Sequence, residues 1–174
     1  MRRAALPWPA RVPDRLLLAL VVLGTLLFLV LAAANPIAPD HLLRMQLAGT
    51  PQRWNAVLAD GATLEALRTH LVQDVVGIIP GYTVALTALF TLRWRRAVAR
   101  GATEARRRAL LRSAWLPLAV AAVDLVENAG MWAASGAGEP AAALVGATSA
   151  AAAVKWALVL ATLLGPAAAA LRER

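Results

Sequence analysis

Four apolar runs, at about 16–34, 71–92, 113–134 and 141–164, alternate with stretches that carry most of the charge. A helix needs about 20 residues to cross about 30 Å of hydrocarbon, so each run predicts a membrane-spanning helix. Arg2, Arg3, Arg11 and Arg15 precede the first run in the manner of a signal peptide. The run is longer than a signal core of about 7–15 residues, and it reads as a retained helix. The second run contains Pro80-Gly81, which removes a backbone hydrogen bond and predicts a kink in its outer half. Pro117 lies near one end of the third, and Gly138-Glu139-Pro140 and Gly165-Pro166 bound the fourth as start and stop signals. The connection 35–70 is long enough to hold short helices: Asp40 is a cap candidate for the first, Pro51 opens a turn through Trp54 and Val57, and Thr63 caps a helix leading through Glu65 into span two. Leu42, Leu43, Leu47 and Leu58 add apolar faces to this segment. The pattern predicts an all-α polytopic membrane protein, one membrane domain over 1–174. Its core is a four-transmembrane-helix bundle with short extracytoplasmic helices between helices one and two.

Composition agrees, with 60% hydrophobic residues and a mean hydropathy of +0.61. A net charge of +8 would suggest nucleic acid in a soluble chain, but here the arginines sit between apolar runs, so no nucleic-acid partner is expected. Four arginines precede span one, eight lie in the arginine-rich loop 93–112 and two follow span four, against three in 35–70 and none between spans three and four. This alternation puts both termini and the 93–112 loop in the cytoplasm. Trp94 and Trp115 then fall at the inner interface and Trp132 near the outer one. Abundant alanine, with arginine in place of lysine everywhere except Lys155, suits a GC-rich bacterial genome and hence a multi-pass protein of the bacterial cytoplasmic membrane. The absence of cysteine excludes disulfides, thiolate metal sites and cysteine catalysis.

The polar residues inside the runs carry the candidate chemistry. Span three reads Val-Asp-Leu-Val-Glu-Asn-Ala-Gly, and Asp124, Glu127, Asn128 and Met131 share one helical face. Span four carries Lys155-Trp156, with Thr148 and Thr162 seven residues to either side of the lysine. Span two opens with His70 and Asp74, four residues apart, and carries Tyr82 further along. At about 1.5 Å per residue, Asp124 and Lys155 lie roughly 15 and 20 Å from the outer surface, close enough to meet. An ionised group at the bilayer centre costs about 2.5–3.5 kcal/mol on insertion scales, so these charges demand pairing or water.

Two readings follow. In one, Asp124 or Glu127 pairs with Lys155 merely to fix helix register, and Asn128 bonds a neighbouring backbone. In the other, two carboxylates facing one lysine leave an acid uncompensated and available for proton transfer. Asp124, Glu127 and Lys155 are then the catalytic candidates of an isomerase- or cyclase-type acid-base enzyme, or of a binding protein, for a lipophilic substrate. Asp74, Asn128, Met131, Trp156, His70 and Tyr82 are the substrate-binding candidates. The same acids would serve a proton-coupled small transporter, and a structural or accessory subunit is the third alternative. Partners are therefore a membrane lipid or lipophilic small molecule; the small-residue face of span four, Gly146, Ala147, Ala150, Ala151 and Ala153, lets another helix approach closely, either within the chain or in a homo-oligomer. One histidine among mixed carboxylates, with His41 elsewhere, gives no metal-ligand spacing, so neither metal nor cofactor is expected.

Asp74, Asp124, Glu127, Asn128, Lys155 and Trp156, in this order and over nearly the whole chain, resemble a group of uncharacterised bacterial four-helix membrane proteins with Asp-x-x-Glu-Asn in the third helix and Lys-Trp in the fourth. The helix count and buried acids are also similar in architecture to the EXPERA group of sterol isomerases and lipid-binding receptors. That likeness implies a lipid-facing pocket with acidic residues.

Overall fold

A computed structural model describes residues 12–60, 63–136 and 138–171, with the backbone alone over 165–171. Among these residues the chain is all-helical, without strands, and four helices are long and apolar enough to cross a membrane. Of the arginines that set the predicted orientation, Arg2, Arg3, Arg11, Arg172 and Arg174 lie outside the described residues.

Helix α1 spans Asp14–Ala33 and ends in the turn at Asn35, whose Oδ1 accepts from the Ile37 amide at 3.0 Å. Three short helices follow: α2 (Pro39–Gln46), α3 (Pro51–Ala59) and α4 (Leu64–Gln73). Thr50 and Thr63 cap α3 and α4 by accepting from the amides of Arg53 and Ala66, at 3.4 and 3.0 Å. Asp40 is not the cap of α2: the helix begins at Pro39, whose fixed φ and missing N–H suit a first turn, and Ala38 precedes it. Arg44 donates to Asp60 at 3.0 Å and joins α2 to the end of α3.

Helix α4 continues without a break through a π-helical turn, Asp74–Ile78, into α5 (Ile79–Ala99). Pro80 follows this wider turn directly. A proline clashes with the carbonyl four residues back, and the i→i+5 bond from the Ile79 amide to the Asp74 carbonyl opens the helix just ahead of it. The whole element has 36 residues, about 54 Å, longer than a hydrocarbon slab of about 30 Å.

The segment expected as a loop over 93–112 is largely helical: α5 runs on to Ala99, and α6 (Glu104–Ser113) follows a tight turn at Gly101. Helix α7 covers Leu116–Gly136 and α8 covers Ala142–Leu171, whose backbone passes through Gly165-Pro166 without stopping.

Two antiparallel pairs build the bundle, α1 with α5 and α7 with α8, and α5 joins them by packing on α7. Gly77, Gly81 and Ala85 form a small-residue row that lets α1 approach closely. A Cβ on Gly24 would stand 2.6 Å from the Gly81 carbonyl oxygen, and one on Gly81 would stand 2.9 Å from the Gly24 oxygen. Asp14 pairs with Arg95 at the far end of the same interface. Helices α1 and α8 do not pack along one another.

Over the end of α7 near Gly136 and the start of α8 sits an apolar core of Met45, Trp54, Val57, Leu67, Leu71, Met131 and Val145. It buries the Trp54 and Val57 faces, while Leu43 and Leu47 stay exposed. Elsewhere the outward faces are apolar: Leu23, Val30, Val126, Leu160 and Leu163 are each more than half exposed. Trp115 and Trp132 point outward near opposite ends of α7, whereas Trp94 is buried in the packing.

Candidate functional site

Asp124, Glu127 and Asn128 project from α7 on the face that its i, i+3, i+4 spacing dictates, and all three are buried. Facing them from α8, Lys155 Nζ donates to Asp124 Oδ1 at 3.0 Å and lies 2.7 Å from Glu127 Oε2. Lys155 is thus the partner of Glu127 Oε2, whereas Glu127 Oε1 has no hydrogen-bond donor although the side chain is fully buried. From α5, the Tyr82 hydroxyl donates to Asp124 Oδ2 at 3.0 Å. From the π-helical turn, Asp74 Oδ2 accepts from Asn128 Nδ2 at 2.7 Å. The π turn thus carries one of the acids, and π-bulges concentrate at functional positions. Three carboxyl groups and one ammonium share a volume with almost no access to water, so the surplus acids need protons, a cation or a hydrogen-bonding ligand as partners.

Beside this cluster lies a cavity of about 500 Å³, within the range of small-molecule sites. Its wall draws on seven elements, with His70 contributed by α4. Thr25, Phe28 and Ala32 come from α1, Leu42 and Gln46 from α2, and Ile78, Tyr82 and Leu86 from the π turn and α5; Val120 and Asp124 come from α7, and Lys155, Trp156 and Val159 from α8. The lining is mainly apolar, with His70, Asp74, Tyr82, Asp124 and Lys155 as the polar groups of its inner wall. Helices α1 and α8 both border this cavity without packing along one another.

Of the sequence-chosen residues, His70, Asp74, Tyr82, Asp124, Lys155 and Trp156 reach the cavity. Glu127 and Asn128 stand behind its wall, touching Lys155 and Asp74 respectively. Met131 does not reach the cavity; fully buried, it belongs to the apolar core under Trp54 and Leu67. It shares the acids' face of α7 but stands one turn higher, where the short helices close over the bundle. Thr148 and Thr162 each donate to a carbonyl of α8 itself, Leu144 and Leu158, so their hydroxyls extend no polar track toward Lys155.

His70 is the outlier. It is 3% exposed and lines the cavity, yet neither ring nitrogen has a partner. A buried polar atom without a partner is rare and costly. Trp156 is held by its indole N–H, which donates to Gln46 Oε1 at 3.2 Å, and its ring centroid lies 5.6 Å from Lys155 Nζ. Gln46, Phe28 and Thr25 escaped sequence reasoning. The one available signal was a lone polar residue in an apolar setting, and that signal does not say which helix it will meet. Among the described residues no three histidine, aspartate or glutamate side chains gather as a metal site would require. No family model, curated protein or solved structure matches the chain.

Proposed function

We propose that this chain is a multi-pass membrane protein, its arginine-rich end cytoplasmic, that binds a lipophilic molecule in the cavity and moves a proton on it at Asp124. The observation that carries this reading is the position of Asp124. It is fixed from both sides by Lys155 and Tyr82, yet it lines a mainly apolar cavity between helices whose outer faces are apolar. A lipid-soluble molecule with one polar group complements such a wall, since apolar area supplies binding and a few placed polar groups supply orientation.

Roles follow from position. Asp124 is the general acid or base because, of the two acids on Lys155, it is the one that lines the cavity. Lys155 holds it in place and sets its charge, with Glu127 securing the ammonium from behind. Tyr82 supplies a hydrogen bond that can follow the changing charge of Asp124. His70 and Asp74, steadied by Asn128, receive the ligand's hydroxyl or comparable polar group. The Trp156 ring offers its face to a developing positive charge. An isomerisation of this kind adds a proton at one carbon and removes one from another, so Asp124 takes up one proton and gives one back with no co-reactant.

The decisive experiment incubates the purified protein with sterol and prenyl-alcohol pools in heavy water and reads deuterium in the recovered lipids by mass spectrometry. Wild type incorporates deuterium into one class. Asp124→Asn abolishes it while still binding a diazirine-bearing analogue that crosslinks beside Trp156. Lipids left unlabelled by wild type would remove the catalytic half of the proposal, and absent crosslinking would remove the binding half. A carrier reading has one supporting observation, the extension of the cavity from Asn35 and Gln46 at one end to Pro117 and Thr162 towards the other. Solute-dependent proton flux in proteoliposomes, with no labelled lipid, favours that reading.

A further inference from the structure

A second cavity, of about 410 Å³, lies at the opposite end of the molecule between the last turns of α5 and the start of α6. Arg93, Arg96 and Arg100 line it from α5, Arg106 from α6, and Ala97 and Leu110 contribute apolar surface to its floor. The three α5 arginines are three and four residues apart, which sets them on one face of the helix. Among the described residues, no carboxylate lines the cleft beside Arg93, Arg96 and Arg100. The acid nearest in sequence, Glu104, is engaged with Arg108, which points elsewhere, at 2.9 Å. Such a concentration of guanidinium groups raises a positive potential inside a shaped recess, and the forked donors of arginine match a phosphate. Exposed Trp115, at the α6–α7 junction, places the recess at the level where a bilayer changes from acyl chain to headgroup.

We infer that this cleft is a binding site for a phosphate group, filled by the headgroup of an anionic phospholipid whose acyl chains lie along the apolar floor and the outer faces of the helices. It rests on the membrane placement proposed above and is independent of the Asp124 cavity. Basic recesses between helices at a cytoplasmic surface have the chemistry that anionic headgroups require. Each arginine near an anionic surface is worth about a fivefold factor, so three together give about a hundredfold.

The test uses full-length protein in nanodiscs of mixed phosphatidylglycerol and phosphatidylcholine, with retained lipids counted by native mass spectrometry. Recovery of folded protein in the discs checks the membrane placement by itself, before any lipid is scored. Wild type should retain phosphatidylglycerol selectively. The triple variant R93Q/R96Q/R100Q should lose about a hundredfold in that selectivity with an unchanged melting temperature, while Arg112→Gln, outside the cleft, keeps it. Lipid retained against millimolar ATP assigns the phosphate to a headgroup, and lipid displaced by ATP assigns the same cleft to a soluble phosphate. Selectivity that survives the triple substitution, or falls as far in Arg112→Gln, overturns the proposal in favour of diffuse surface charge.

Discussion

One face of α7 passes through two environments. Towards Gly136, Met131 is fully buried in a closed apolar core with Trp54, Leu67 and Leu71. One and two turns lower, Asn128, Glu127 and Asp124 meet Asp74, Lys155 and Tyr82 beside an open cavity. Above, the buried side chains are mainly apolar, and Ser135 on the same face donates to the Trp132 carbonyl. Below, His70 and Glu127 hold buried atoms without hydrogen-bond partners. The first arrangement suits stability, whereas the second leaves His70, Asp74 and Asp124 lining a cavity at a cost in stability. Proteins retain such arrangements chiefly at sites that bind or react.

Three substitutions sharpen or break this contrast. The largest effect is expected from Lys155→Met, which strips the counter-charge from two buried carboxylates and should cost about 3–5 kcal/mol. Thermal unfolding in detergent would read it, and Asp124→Asn added to Lys155→Met should return part of the loss. Should Lys155→Met melt like wild type, the ion pair is not what holds the lower half together. In the closed core, Met131→Ala should cost about 2–4 kcal/mol by leaving a void, yet leave crosslinking of the lipophilic probe intact in the folded fraction. Loss of crosslinking there would erase the division between the two regions. The smallest stability change is expected at His70→Leu, where two unpartnered nitrogens disappear. Stability should hold or rise by up to about 1 kcal/mol, while probe retention falls. A clear destabilisation would mean that the ring has a structural partner after all.

The spans and the Asp124–Lys155 contact were legible in the sequence for a simple reason. Apolar length reports a membrane-crossing helix, and a residue's position along an antiparallel helix reports its height. Met131 shows where that logic ends. Spacing assigns it to the same face as the acids, but spacing carries no information about how far down the short helices α2–α4 reach, and they are what closes over it. Pro80 announced a disturbed helix, yet proline chemistry alone does not foretell the widened turn ahead of it. The Gln46–Trp156 hydrogen bond joins residues 110 apart in sequence and follows from tertiary packing that no local pattern encodes. Capping was read correctly at Thr63, where a hydroxyl precedes a helical run, and misread at Asp40, because Pro39 had already started the helix.

The border between α1 and α8, which do not pack along one another, has a consequence for how occupancy would be measured. On the proposed membrane placement, a molecule arriving through it would come from among acyl chains, so its partition into the lipid phase would precede any encounter with Asp124. Half-saturation would then be set by the ligand's mole fraction in the surrounding lipid, and diluting the aqueous phase at a fixed ligand-to-lipid ratio would leave the site as full as before.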